Sequence, residues 1–227
     1  MISKFNKFLD KIIFDKHRNL RSQIIDILKS NKKYDYGNGY LYQSFDKVPL
    51  RGLRNTKYRI RELRIDQFTL NKKILDIGCN TGFLSMSIKP IYKKLVGIDH
   101  HQISINIANL VRDYLSMNKV HFLHENFNYF KFDDTFDVIF SLANHSTKDK
   151  GIIDTNFYFK KIDQLLNNKG LLFIESHHPQ IEKNSEFKKK VSDFINNYNY
   201  KILYKNKYNC KNFYDYGRTF YILKKEV

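Results

Sequence analysis

Three groups of residues in this 227-residue chain have the types and spacing to do chemistry. The first is "KILDIGCNTGFLS", Lys73 to Ser85, with "VGID" ending at Asp99. Gly78 and Gly82 let the backbone turn sharply and approach a ligand. A helix starting after Gly82 would aim its free N–H groups at the same spot. An acidic residue about 20 positions beyond such a loop is where a ribose diol is gripped, and Asp99 stands there. Asp76 orders the loop or reaches the ligand through water. A dinucleotide loop needs glycines where this chain has Asn80 and Phe83, and no Gly-Lys-Ser/Thr follows to make a phosphate loop. The pattern leaves a nucleoside ligand without a pyrophosphate.

The second group is His145 in "SLANHST" with Glu175, His177 and His178 in "IESHHP". A histidine's ordinary pKa of about 6.5 suits general-base work. Glu175 and the histidines are also a metal donor set, but their spacing matches no ligand motif, and no metal is expected. The third group is the arginines of "PLRGLRNTKYRIRELR". Arg59, Arg61 and Arg64 are expected on a solvated helix. Arg51 and Arg54 flank a glycine in a loop, where their forks suit carboxylates and phosphates. Tyr40, Tyr42 and Gln43 precede them and are expected to line an acceptor pocket as a lid.

The elements that must position these groups alternate. Residues 1 to about 30 read as helix, with Ile2, Phe5, Phe8, Leu9, Ile12 and Ile13 on one face and a further stretch from Leu20. Residues 34–55 read as loop, followed by a short basic helix. From Lys73 onward, "KILDI", "KLVGID", "KVHFLH", "FDVIFSLA" and "LLFIES" read as strands separated by helices, one of them ended by Gly170. "YKILYK" and "RTFYILKK" close the chain with too short a link for a parallel crossover. The fold expected is α/β: a doubly wound, seven-stranded, mostly parallel sheet with an antiparallel last strand and an N-terminal helical cap. The cap is expected over 1–70 and the core over 71–227. Ligands in such sheets sit beyond the strands' carboxyl ends.

With the loop, "VGID", "FDVIFS" and "GLLFIES" in this order, residues 72–225 resemble the class I S-adenosylmethionine-dependent methyltransferases. The resemblance implies that Asp76, Gly78, Cys79, Asn80 and Gly82 wrap the methionine end of S-adenosyl-L-methionine. It places the ribose on Asp99 and the adenine at the end of "HFLHENF", on Asn126 and Phe127, with His100 or His101 at its flank. Asn126 stands where the family often has Asp, and an amide oxygen can also accept from the adenine amine. Arg54 is the candidate for the cofactor's carboxylate. His145, His177 and His178 are candidates for the base, and Tyr40, Tyr42, Arg51 and Glu175 for acceptor contacts.

The expected activity is methyl transfer to a hydroxyl of a small polar acceptor such as a sugar or sugar-nucleotide. A tRNA methyltransferase is the alternative, carried by a net charge of +17 and many tyrosines. Against it, the basic residues are scattered in the manner of compositional bias, and no RNA-binding module is recognisable. A membrane-surface role for the basic N-terminal helix, with Lys4, Lys7 and Lys11 opposite its apolar face, is a third reading. Two cysteines make no disulfide framework, and no apolar run approaches the ~20 residues of a span. The expectation is a cytoplasmic enzyme; its oligomeric state is left open.

Overall fold

The computed structural model describes residues 17–31, 41–144, 155–210 and 212–227. The apolar face expected over residues 2–13, Tyr40 and His145 lie outside them. A first helix, α1 (Arg18–Lys29), buries Leu20, Ile24 and Leu28, one residue per turn. The span expected to be loop holds two short strands, β1 (Leu41–Gln43) and β2 (Gly52–Arg54), paired parallel. A Cβ on Gly52 would lie 2.1 Å from the backbone carbon of Gln43, so only glycine permits this pairing. The basic helix α2 (Thr56–Glu62) follows, its N-terminus capped by Asn55, whose Oδ1 accepts from Tyr58 N at 2.8 Å.

The main sheet comprises β3 (Lys73–Ile77), β4 (Lys94–Asp99), β5 (Val120–His124), β6 (Phe136–Leu142), β7 (Leu166–Glu175), β8 (Tyr200–Lys207) and β9 (Thr219–Lys225). Its order is β5-β4-β3-β6-β7-β9-β8. The first five strands pair in parallel, and β9 runs antiparallel to both neighbours, as expected. Chain direction across the sheet reverses between β3 and β6, and that switch point locates a ligand crevice at their carboxyl ends.

Helices cover both faces. On one lie α1, α3 (Phe83–Ser87) and α4 (Gln102–Tyr114), packed on Ile74, Val138 and Phe140. On the other lie α5 (Thr155–Leu165) and α6 (Asn184–Tyr198), packed on Leu75, Ile77 and Ile139. Successive residues of one strand therefore enter different cores, which is why these strands read as continuous apolar runs.

One boundary differs from expectation. Gly170 does not end a helix: α5 stops at Leu165 and β7 begins at once. The register slips there, with Phe136 opposite Leu166 but Val138 opposite Leu171, so Gly170 lies in a strand irregularity. Among the described residues, no helix is long and apolar enough to cross a membrane.

Candidate active site

A cavity of about 430 Å³ opens at the carboxyl ends of β3, β4 and β6. The loop after β3 forms its floor. Gly78 N and Cys79 N both donate to Ile98 O, at 2.8 and 3.2 Å, strapping the loop to β4. Gly78, Asn80 and Gly82 all adopt left-handed backbone, at φ of 67°, 54° and 67°. Asparagine tolerates that region, so the loop keeps its bend without a middle glycine. A Cβ on Gly82 would lie 2.3 Å from the Phe122 ring. The thiol of Cys79 turns into the core, and burial pushes its pKa well up.

Asp99 is nearly buried and held from two sides. Its Oδ2 accepts from Asn80 N at 2.8 Å and its Oδ1 from His101 N at 2.9 Å. Loop and ribose-type acid are thus one hydrogen-bonded unit. His100 lies beside them, its Nδ1 3.7 Å from Asp99 Oδ1 and its ring 3.9 Å from that of His101. Among the described residues, Asp99, His100 and His101 bring ligand-type atoms within 4.8 Å of one another. Asn126 and Phe127 join the same wall; Asn126 Oδ1 accepts from Asn128 N at 2.9 Å, and Phe127 sits edge-on to Tyr158 at 5.3 Å.

Asp76 is buried beneath the loop and takes a 2.5 Å hydrogen bond from Ser85 Oγ. Burial pushes its pKa up to about 7; the Ser85 hydroxyl and Arg59 oppose that rise, and Asp99 adds to it. Sequence reasoning missed its neighbours. Asn144 Nδ2 donates to Ile77 O, and its Oδ1 accepts from Ser141 Oγ at 2.8 Å and Tyr158 OH at 3.0 Å. "SLAN" after an apolar strand carries the signal for Asn144, but in sequence the histidine beside it draws the attention. Gln43 also has a defined contact, its Oε1 accepting from Leu84 N at 3.2 Å and so using one of the free N–H groups of α3.

The far wall is cationic. Arg54 is fully buried, with Nε 2.5 Å from Asp215 Oδ1 and Nη2 2.7 Å from Glu175 Oε1. Arg59 Nη2 reaches Glu175 Oε2 at 3.0 Å, Arg218 Nη1 reaches Oε1 at 3.4 Å, and Tyr208 OH donates to Oε2 at 3.0 Å. Arg59 is 1% exposed, which corrects its expected place on a solvated face; the helix turns it inward to Glu175 while Arg61 and Arg64 stay exposed. Burial alone would raise the pKa of Glu175, but Arg54, Arg59 and Arg218 hold it far below the carboxylate range. Glu175 is therefore the anionic hub of a buried network, behind the cavity surface rather than on it. Burial would likewise raise Tyr42, yet Arg54, Arg218 and Arg59 carry its phenol below the ordinary value. Tyr42 and Arg54 line the cavity, whereas Arg51 is exposed and does not.

His177 and His178 line the cavity between this wall and its mouth. His178 Nδ1 accepts from Gln180 N at 3.3 Å, and its ring lies 4.6 Å from that of Phe213. An imidazole that accepts at Nδ1 carries its proton on Nε2 and so presents a donor.

Residues 69–218 match the family profile described as "Methyltransferase domain". The chain belongs to the methyltransferase-domain family. The resemblance drawn from "DIGCNTG" and "VGID" is thereby met. No curated protein matches this methyltransferase by sequence. Among solved structures, it is similar to the cyclase SpnF, with a TM-score of 0.67 and 12% identity over 90% of this chain and 94% of that one. It is also similar to the N-methyltransferase NodS from Bradyrhizobium japonicum WM9 in complex with S-adenosyl-l-homocysteine: TM-score 0.62, 13% identity, 75% of this chain and 87% of that one. The magnesium protoporphyrin IX methyltransferase ChlM from Synechocystis PCC 6803 with bound SAM gives TM-score 0.58 and 14% identity over 75% and 78%. At such identities the likeness is one of fold, and a fold that also serves a cyclase leaves the chemistry to the site.

Proposed function

We propose that this chain binds S-adenosyl-L-methionine on the loop side of its cavity and methylates a hydroxyl of a small polar acceptor, a sugar or sugar-nucleotide, on the other. One observation carries the reading: a left-handed loop locked to Asp99 lines the same cavity as His177, His178, Arg54 and Arg218. The residues present fit the cofactor. Asp99 has both oxygens steered by backbone N–H groups and keeps lone pairs for a ribose diol. Asn126 and Phe127 bracket the adenine, Asn80 and the bare main chain at Gly78 take the methionine end, and Arg54 supplies positive charge for its carboxylate.

Bound there, the cofactor supplies an electrophilic methyl group on a sulfonium. The chain's contribution is alignment, an entropic one. His178, donating through Nε2, orients the acceptor. His177 is the candidate base: its imidazole would take the proton of the acceptor hydroxyl, while the cofactor held there would supply the methyl group and leave as a neutral thioether. Tyr42 lines the acceptor side.

Calorimetry with S-adenosyl-homocysteine tests the cofactor half. The unaltered chain binds it, and Asp99→Ala weakens binding by roughly 10- to 100-fold, the worth of charge-assisted hydrogen bonds. His177→Ala lowers kcat by roughly 10²–10⁴ with cofactor binding intact. Unchanged turnover in that variant removes His177 from the chemistry.

A further inference from the structure

We infer that the methyl acceptor is a ring compound bearing one carboxylate, with the carboxylate received at Arg218 and the ring laid against Phe213 and His178. This deepens the acceptor side of the methyltransferase reading and rests on it.

The rings come first. Phe213, Tyr214 and Ile181 line the cavity, yet they are 57%, 38% and 73% exposed. Phe213 and Tyr214 are held in place, because the segment over residues 212–218 is tightly built. Tyr216 N donates to Asn212 O at 2.9 Å and Gly217 N to Tyr208 O at 3.1 Å, while Tyr208, Asp215 and Arg218 anchor it in the interior. The Phe213 ring is backed by His178 at 4.6 Å. A braced aromatic face at a cavity mouth is a platform for a flat ligand, whether an aromatic ring or the apolar face of a sugar.

The charge comes second. Three guanidinium groups, of Arg54, Arg59 and Arg218, meet two carboxylates, of Glu175 and Asp215. Within this hydrogen-bonded set, whose members are 5% exposed or less, guanidiniums outnumber carboxylates by one, and Asp76 is a further buried carboxyl that acts on Arg59. Arg59 Nε is buried without a hydrogen-bond partner among the described residues. Burying an excess charge is costly unless an anion completes the set. The cofactor's amino-acid end is a zwitterion and leaves this balance unchanged, and its sulfonium adds one more positive charge. An anionic acceptor is therefore favoured, and a carboxylate, which an arginine fork matches, is the anion assigned here.

Arg218 is the receiving group because it belongs to the acceptor wall. Its Nε donates to Tyr214 O at 2.7 Å and its Nη1 to Ser176 O at 3.3 Å. The segment after β7 that carries the histidines and the loop that carries the rings thus hold the same fork. Arginine's planar fork matches a carboxylate.

The experiment uses the full chain saturated with S-adenosyl-homocysteine and two probe pairs, glucuronate against glucose and 4-hydroxybenzoate against 4-hydroxybenzamide, with affinities read by saturation-transfer NMR. At least one acid is expected to bind about tenfold or more tightly than its neutral counterpart, and the pair that responds identifies the ring as sugar or aromatic. Arg218→Gln erases the preference, Arg218→Lys retains part of it, and Phe213→Ala, at an exposed position, weakens both members of the responding pair. The comparison on the unaltered chain decides even where Arg218→Gln does not fold. If S-adenosyl-homocysteine itself fails to bind, the methyltransferase reading falls. If it binds and neither acid is preferred, this inference alone is overturned.

Discussion

Asp76 illustrates how one buried group links the loop to solution conditions. Its carboxyl lies under the glycine turn and titrates near 7 because burial disfavours the anion. Its ordinary value is 3.8, so between about pH 4 and pH 7 the folded chain keeps a proton that the unfolded chain has released. The sign follows: this group's contribution to stability is complete below the lower value and is lost as pH rises through about 7. Asp76→Asn retains an oxygen for the Ser85 hydroxyl and removes the titration. The ligand-free variant's margin over the parent is expected to grow by on the order of 1–3 kcal/mol between pH 5 and pH 8, read as several degrees of Tm. Parallel Tm–pH curves for the two proteins would show that the carboxyl is solvated. The residues legible at this scale were those whose placement depends on local sequence: Gly78 and Asn80 lie in the turn after β3 and Asp99 at the end of β4. Arg59, Asn144 and Tyr158 were not legible, because their roles are set by partners far along the chain. Arg59 meets Glu175 116 positions away and Tyr158 meets Asn144 14 away.

At the scale of elements, the arginine network is what joins the N-terminal segment to the sheet. Arg54 leaves β2, Arg59 leaves α2, Glu175 ends β7, and Tyr208, Asp215 and Arg218 come from the connection between β8 and β9. Removing the central anion strands three guanidiniums in the interior. Glu175→Gln is expected to cost about 3–5 kcal/mol, measured as a fall in the urea midpoint at unchanged m-value. The depressed pKa gives the same network an acid limit: its stabilisation is present above about 4.5, the ordinary value of Glu175, and is lost as pH falls below it. A cost under about 0.5 kcal/mol would mean that water reaches the cluster. Strands β3 and β4 were legible to the residue, since two-sided burial writes an unbroken apolar run. The short pair β1 and β2 was not, because three-residue strands around Pro49 and Gly52 carry no period. The inward face of α2 was hidden as well, because a buried ion network looks in sequence like a solvated one.

For the whole molecule, the question is whether a net charge of +17 has a partner. Part of it has a structural use. Among the described residues, the outer strand β8 leaves one edge of the sheet unpaired, and Lys201, Lys205 and Lys207 stand exposed along it beside the exposed Ile202 and Leu203. Lysine on an open edge discourages a second chain from pairing there. The same charge would hold nucleic acid weakly through phosphates, with affinity falling steeply as salt rises. A tRNA enzyme needs more than that: a base must enter the cavity and compete for its walls. Bulk tRNA is therefore expected to bind at 50 mM salt and to lose roughly 10³-fold or more in affinity by 200 mM, without acquiring a radiolabelled methyl group at either salt. It should also leave the affinity for S-adenosyl-homocysteine unchanged. Methylation of tRNA that persists at 200 mM salt would move the acceptor from small molecule to RNA and turn the scattered lysines from edge protection into a binding surface.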